Sequence, residues 1–171
     1  MSADNQQERL KTVGWIVGLV DGEGCFSIAI QRNRTMNLGW QVFPEFVVTQ
    51  GLKSRQALEV VQNYFDCGSI YLNSRLDNHN EALCRYCVRA RSDLSNKIIP
   101  FFTENPPRTA KRDDFGKFKQ VIDLMNDGNH LSFDGLKRIA RIAQTMNRRK
   151  PSKFLESSET IRQNPVQPDK I

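Results

Sequence analysis

Histidine and cysteine are scarce in this chain, two and four of 171 residues. So few cysteines in such a length cannot make the disulfide framework of a small secreted domain, and they are expected as reduced thiols. Cys84-x-x-Cys87 has the spacing of half a zinc site, but no second pair accompanies it and it falls in an apparent strand. His79 and His130 stand apart from any residue that would complete a metal site or activate a nucleophile. Long apolar runs are also missing. The longest mostly apolar stretch, Val13 to Val20, falls far short of the ~20 residues that span a bilayer, so no membrane is expected as a partner. Residues 1–8 have neither the basic nor the apolar region of a signal peptide, which implies an intracellular protein of a bacterial or archaeal cytoplasm or of an organelle. No Gly-rich phosphate loop is present, so nucleotide hydrolysis has no support.

Basic charge is in surplus. Against 19 Asp+Glu there are 25 Lys+Arg, a formal +6 and a pI near 9.3, which favours a polyanionic partner. The surplus is uneven: residues 137–153 hold seven Lys/Arg and no acid, and 108–119 hold five against two. With 39% hydrophobic and 26% charged residues the chain is neither disordered nor fibrous, and it suits one domain of ~100–200 residues.

The pattern of apolar residues mixes both periodicities. Leu10 to Val20 is apolar on more than one side and reads as a buried helix ending in Asp21-Gly22-Glu23-Gly24, with Gly24 as its stop. Residues 25–31 alternate as a strand, with Phe26, Ile28 and Ile30 on one face. After a polar loop over 32–39, residues 40–49 form a second strand, and Pro44, lacking a donor, belongs at a bulge, bend or unpaired edge. Ser54 is placed to N-cap a helix over 54–65, and 67–72 with 82–89 read as a hairpin across a polar loop. Helices follow over 93–102, 113–125 and 132–147, the last with Ser132 as its N-cap. The expected fold is α+β, with an αββαββα core. One domain covers 1–150, and 151–171, rich in Ser, Pro, Gln and Asn, is a tail with little packed structure.

Gly14, Gly18 and Gly22 recur every four residues and so share one helix face. Each glycine inside a helix costs roughly 1 kcal/mol against alanine, a cost that close approach of a second backbone offsets. If that second backbone is the same helix of another copy, two Glu23 carboxylates meet, and like charges in one small site invite a divalent cation. An acid at the C-terminal end of a helix opposes its dipole, so Asp21 needs a local partner and ranks below Glu23 as a ligand.

Ile16-Val17-Gly18-Leu19-Val20-Asp21-Gly22-Glu23-Gly24 resembles the nine-residue motif of the LAGLIDADG homing endonucleases, in which a glycine-containing apolar helix ends in two acids separated by one small residue. The resemblance continues in the same order through Phe46-Val47-Val48-Thr49-Gln50, Tyr64-Phe65-Asp66-Cys67-Gly68-Ser69-Ile70, Ile98-Ile99-Pro100-Phe101-Phe102 and His130-Leu131-Ser132-Phe133-Asp134-Gly135-Leu136, over about residues 10–147. One motif per chain implies the homodimeric type, joined through Gly14, Gly18 and Gly22. The resemblance implies an intron-encoded enzyme that makes metal-dependent double-strand cuts in a long, roughly palindromic DNA site. It implies Glu23 and the Gly22 carbonyl as ligands of Mg²⁺, with Mn²⁺ as substitute. It also implies Gln50 as organiser of the water around the scissile phosphate and Lys111 as the basic residue beside it. Glu23 stands where the family more often has Asp.

The resemblance further implies that DNA is met by a four-stranded antiparallel saddle. Ser27, Ala29, Gln31, Asn33, Gln41 and Tyr71 would face base edges, and Arg32, Arg34, Arg75 and Arg85 would face bases or phosphates. An RNA maturase that assists splicing of its host intron and a non-cleaving DNA-binding regulator on the same fold are the other functions open to such a chain.

Overall fold

In the computed structural model, which describes residues 3–73, 82–147 and 150–157, helix α1 spans Ala3–Glu23. It starts at Ala3 rather than near Leu10 because residues 4–11 are exposed all round. Good helix formers with no buried stripe leave no periodicity to read. Strand β1 (Gly24–Arg32) follows with no intervening loop. Gly24 does stop the helix, but by close approach and not by a left-handed conformation. A Cβ on it would lie 2.6 Å from Val20 Cγ1 and 2.7 Å from the Val20 carbonyl oxygen.

Strand β2 (Trp40–Gly51) pairs antiparallel with β1 from Gly24↔Val48 to Arg32↔Trp40. β3 (Ser69–Asn73) and β4 (Leu83–Val88) form the hairpin, and the sheet order is β1-β2-β4-β3. Pro44 lies opposite Ile28 in the part of β2 that β4, whose pairing starts at Phe46↔Val88, does not reach. It therefore occupies an unpaired edge, where a missing donor costs nothing.

Helix α2 (Arg55–Phe65) is entered through a 3₁₀ turn, Leu52–Ser54, and buries Leu58, Val61 and Phe65. Ser54 holds the N-cap position, yet its side chain makes no capping hydrogen bond. The helix expected over 93–102 is three pieces: α3 (Arg91–Asp93), a π-helical turn (Leu94–Ile98) and α4 (Ile99–Glu104). Pro100 has no N–H to return to the preceding turn, which favours the wider winding before it. Helix α5 spans Lys111–Asn126 and α6 spans Phe133–Ala143, where Ser132 Oγ accepts from the Gly135 amide at 3.2 Å as the N-cap expectation requires.

The core lies between the helices and one face of the sheet. Phe26 is its centre, with ring centroids of Phe46, Phe102 and Phe115 each 5.2 Å away and Phe118 at 5.5 Å. A second cluster joins Val42 to α5 and α6 through Val121, Leu124, Leu136 and Ile139. It also takes in Phe154, 1% exposed and packed edge-on against Trp40 at 5.4 Å. Residues 153–157 thus form a helical turn anchored in the core, within the segment 151–171 expected to have little packed structure; residues 158–171 lie outside the described residues. Two adjacent apolar residues, Phe154 and Leu155, are too few to carry a periodic signal. All four cysteines are free thiols, and no helix among the described residues is long and apolar enough to cross a membrane.

Candidate active site and nucleic-acid interface

The C-terminal end of α1 is tied down by the loop that enters α5. Asp21 accepts from the Arg108 amide at 2.9 Å, the Thr109 amide at 3.1 Å and Thr109 Oγ1 at 2.8 Å. Partial burial pushes the Asp21 carboxyl up, but these hydrogen bonds and the nearby Lys111 charge together outweigh it and hold the group below its ordinary value of 3.8. Lys111 Nζ donates to the carbonyl oxygens of Asp21 at 2.7 Å and Gly22 at 2.8 Å, placing a cation where the helix dipole is negative. Asp21 therefore has the local partners that its place at the helix end demands.

Glu23 is different. It is exposed at the junction of α1 and β1, and no hydrogen bond or ion pair holds its carboxylate among the described residues. Lys111 and Gly22 are brought together with it by chain connection and by the ammonium-to-carbonyl bond. Gln50 lies two residues along β2 from the Gly24↔Val48 pair, so the register carries it past the end of α1; it is half-buried opposite Cys84 and shares no hydrogen bond with the other three. Carboxylate and carbonyl oxygens suit a hard cation such as Mg²⁺. No group of three or more His, Cys, Asp or Glu gathers among the described residues. Cys84 and Cys87 are buried on opposite faces of β4 and form no part of a metal site.

The glycine stripe faces out. A Cβ at Gly14, Gly18 or Gly22 would find no atom within 4 Å, and Trp15 beside it is 43% exposed. Among the described residues no helix covers these glycines, so packing within those residues does not account for them. A cleft of about 590 Å³ runs along Val13, Val17 and Gly18 to Pro106, Pro107 and Arg112.

Of the residues expected to meet DNA, Ser27, Ala29, Gln31, Gln41, Tyr71 and Arg85 share the sheet face opposite the core, as their register with Phe46 and Val88 requires. Asn33 is committed locally. Its Nδ2 donates to Gln41 Oε1 at 2.6 Å while its Oδ1 accepts from Thr35 Oγ1 at 2.7 Å, closing the β1–β2 loop. Arg32 has the opposite parity and stacks on Trp40, 4.8 Å from the ring centroid. Arg34 is exposed in the loop, and Arg75 lies outside the described residues. The basic runs are partly structural: Lys137 is 7% exposed with its ammonium 4.6 Å from the Phe133 ring, and Lys117 pairs with Asp113 at 2.6 Å. Two residues on the outward face carry no expectation from sequence, Glu45 and Arg89, joined at 2.6 Å. The alternation of Glu45 with Gln41 and Phe43 along β2, and of Arg89 with Arg85 and Cys87 along and just past β4, was the available signal.

The profile described as LAGLIDADG endonuclease matches residues 16–122. The "Probable intron-encoded endonuclease 3" of Neurospora crassa is 35% identical over 140 residues, 81% of this chain and 25% of that protein. Among solved structures, the homing endonuclease I-TnaI superposes with a TM-score of 0.76 at 37% identity, over 87% of this chain and 97% of that one. I-SmaMI bound to an uncleaved DNA target in the presence of calcium ions superposes at 0.76 with 29% identity, over 91% of this chain and 50% of its own. The chain spans about a quarter of the length of the N. crassa relative.

Proposed function

The chain belongs to the LAGLIDADG endonuclease family, and from that premise we propose that it is an intron-encoded homing endonuclease that cuts both strands of a long, roughly palindromic DNA site as a metal-dependent homodimer. The observation that carries this reading is the contrast between Asp21, held by the 108–111 segment, and Glu23, presented without a partner at the same helix end. The DNA-bound state of I-SmaMI and its calcium ions support the partner and the metal class.

In this reading Glu23 and the second lone pair of the Gly22 carbonyl hold the cation, Mg²⁺ or in its place Mn²⁺. When bound, such a cation activates a water for attack on the phosphodiester and stabilises the leaving oxygen. Lys111 adds positive charge at the same helix end, where phosphate charge develops. Gln50, a neutral donor and acceptor at the end of β2, orients water. The major groove is wide enough to admit a β-ribbon, and the outward sheet face reads the site there. Two motif helices meet along Gly14, Gly18 and Gly22 through a two-fold axis, which places one Glu23 at each strand.

The test is selection from a randomised double-stranded DNA library with Mg²⁺, followed by mapping of the ends. Double-strand breaks within an approximately inverted repeat are expected. Enrichment of a site with no cutting in Mg²⁺ or Mn²⁺ would leave a DNA-binding regulator, and preference for structured RNA over every duplex would leave a maturase. Sedimentation of the free and DNA-bound protein decides assembly: a monomer in both states removes the homodimer.

A further inference from the structure

The outward sheet face carries an acid where a polyanion is to lie. Glu45 stands in β2, its side chain 19% exposed, in line with Gln41 and Phe43 on the surface that Ser27, Gln31 and Arg85 share. Its Oε1 accepts from Nε of Arg89 at 2.6 Å and lies 2.6 Å from Nη2 of the same guanidinium. Its Oε2 is 3.5 Å from Nη2 of Arg85. On the far side, the Arg89 guanidinium carbon sits 5.5 Å from the centroid of the Tyr71 ring.

Arg89 is thus held along one edge by a carboxylate and over one face by an aromatic ring. The edge left open, one N–H of Nη1 and the second N–H of Nη2, is a planar fork of donors, the shape that matches O6 and N7 of guanine in the major groove. The same fork can grip a phosphate, but phosphate affinity comes chiefly from net positive charge, which a neighbouring carboxylate cancels. A carboxylate between two arginines on a DNA-facing sheet lowers general attraction and fixes direction, which is how specificity is obtained at the expense of indiscriminate binding.

The geometry points to Arg89 as the reader of one guanine in each half-site, and to Glu45 as the positioning residue that holds it edge-on to the base. This deepens the proposed DNA-cleaving function and rests on it. Glu45 itself touches no DNA in this assignment; it acts through Arg89.

Binding selection on duplexes randomised across the half-site, with calcium to prevent cutting, tests it on the full chain. Wild type is expected to enrich guanine at one position by about tenfold or more. Glu45→Gln, nearly isosteric, should lose most of that preference while its affinity for unselected DNA rises. Arg89→Lys keeps the charge and removes the fork, so it should lose the preference and keep the slope of log affinity against log salt. The same guanine preference in either variant overturns the assignment, as does a uniform fall in affinity with all preferences intact. If wild type enriches no sequence at all, the endonuclease reading fails first. A wild type that enriches and cuts a site whose bases are indifferent to both substitutions defeats this assignment alone.

Discussion

On one face of α1, Ile16 and Val20 are fully buried in the main aromatic cluster; on the other, Gly14, Gly18 and Gly22 have open space where side chains would be. The inward face obeys the ordinary rule that apolar side chains leave water. The outward face exposes backbone at positions where a helix would be more stable with almost any other residue. The same division continues to the helix end, where Asp21 serves the fold by holding the 108–111 segment and Glu23 serves no contact among the described residues. A helix face that costs the chain stability thus ends in an acid with no hydrogen bond or ion pair among the described residues.

Substitutions on the two faces should therefore separate folding from function. The largest effect is expected for Glu23→Gln: loss of a metal ligand should lower cleavage by about a thousandfold or more, since metal stabilisation of transition-state charge is worth several kcal/mol. Its unfolding temperature should match wild type, and binding measured in calcium should change by a few-fold at most. A cleaving Glu23→Gln would break the division at its most important point.

Gly18→Leu comes next. In the protomer a leucine there meets nothing and gains roughly 1 kcal/mol of helix propensity, so thermal stability of the isolated chain should hold or rise. Self-association and cutting should be lost together, because overpacking cannot relax where two backbones touch. Sedimentation and calorimetry on the same sample check both halves. Ile16→Ala should do the reverse, costing about 2–5 kcal/mol of stability as a buried cavity with no direct effect on association.

The smallest effect sharpens the contrast between the acids. Asp21→Ala removes hydrogen bonds to Arg108 and Thr109 and should cost about 1–2 kcal/mol at neutral pH. Because folding lowers the Asp21 value below 3.8, that stabilisation is complete above 3.8 and is lost as pH falls through the folded value. Wild type and Asp21→Ala should therefore converge in stability at strongly acid pH. Parallel curves down to the lowest pH would deny Asp21 its structural role.

Much of this was legible in the chain itself. Alternation gave the strands, and the singular Pro44 marked the stretch of β2 without a second neighbour. The four-residue spacing of glycines and the acids that follow pointed to the helix end where Asp21 is held and Glu23 is exposed. What periodicity could not reveal was any element whose signal is a single residue or a uniform surface. The exposed start of α1 shows no stripe, and the docking segment at 153–157 offers only Phe154 with Leu155 beside it, too short a run to show a period. The Ser54 position predicted a cap that the preceding 3₁₀ turn leaves unmade.

The sequence by itself determined the motif helix, the order of helices and strands and the residues able to hold a hard cation, because these follow from local spacing and from the chemistry of each side chain. Only the tertiary structure decided which groups engage Asp21, that Lys111 caps the carbonyls of Asp21 and Gly22, and that Glu45 gathers Arg85 and Arg89 on the outward face. Those pairings join residues 40 to 90 positions apart. The partners of a polar side chain are set by which backbones the core brings together, and no local pattern records that.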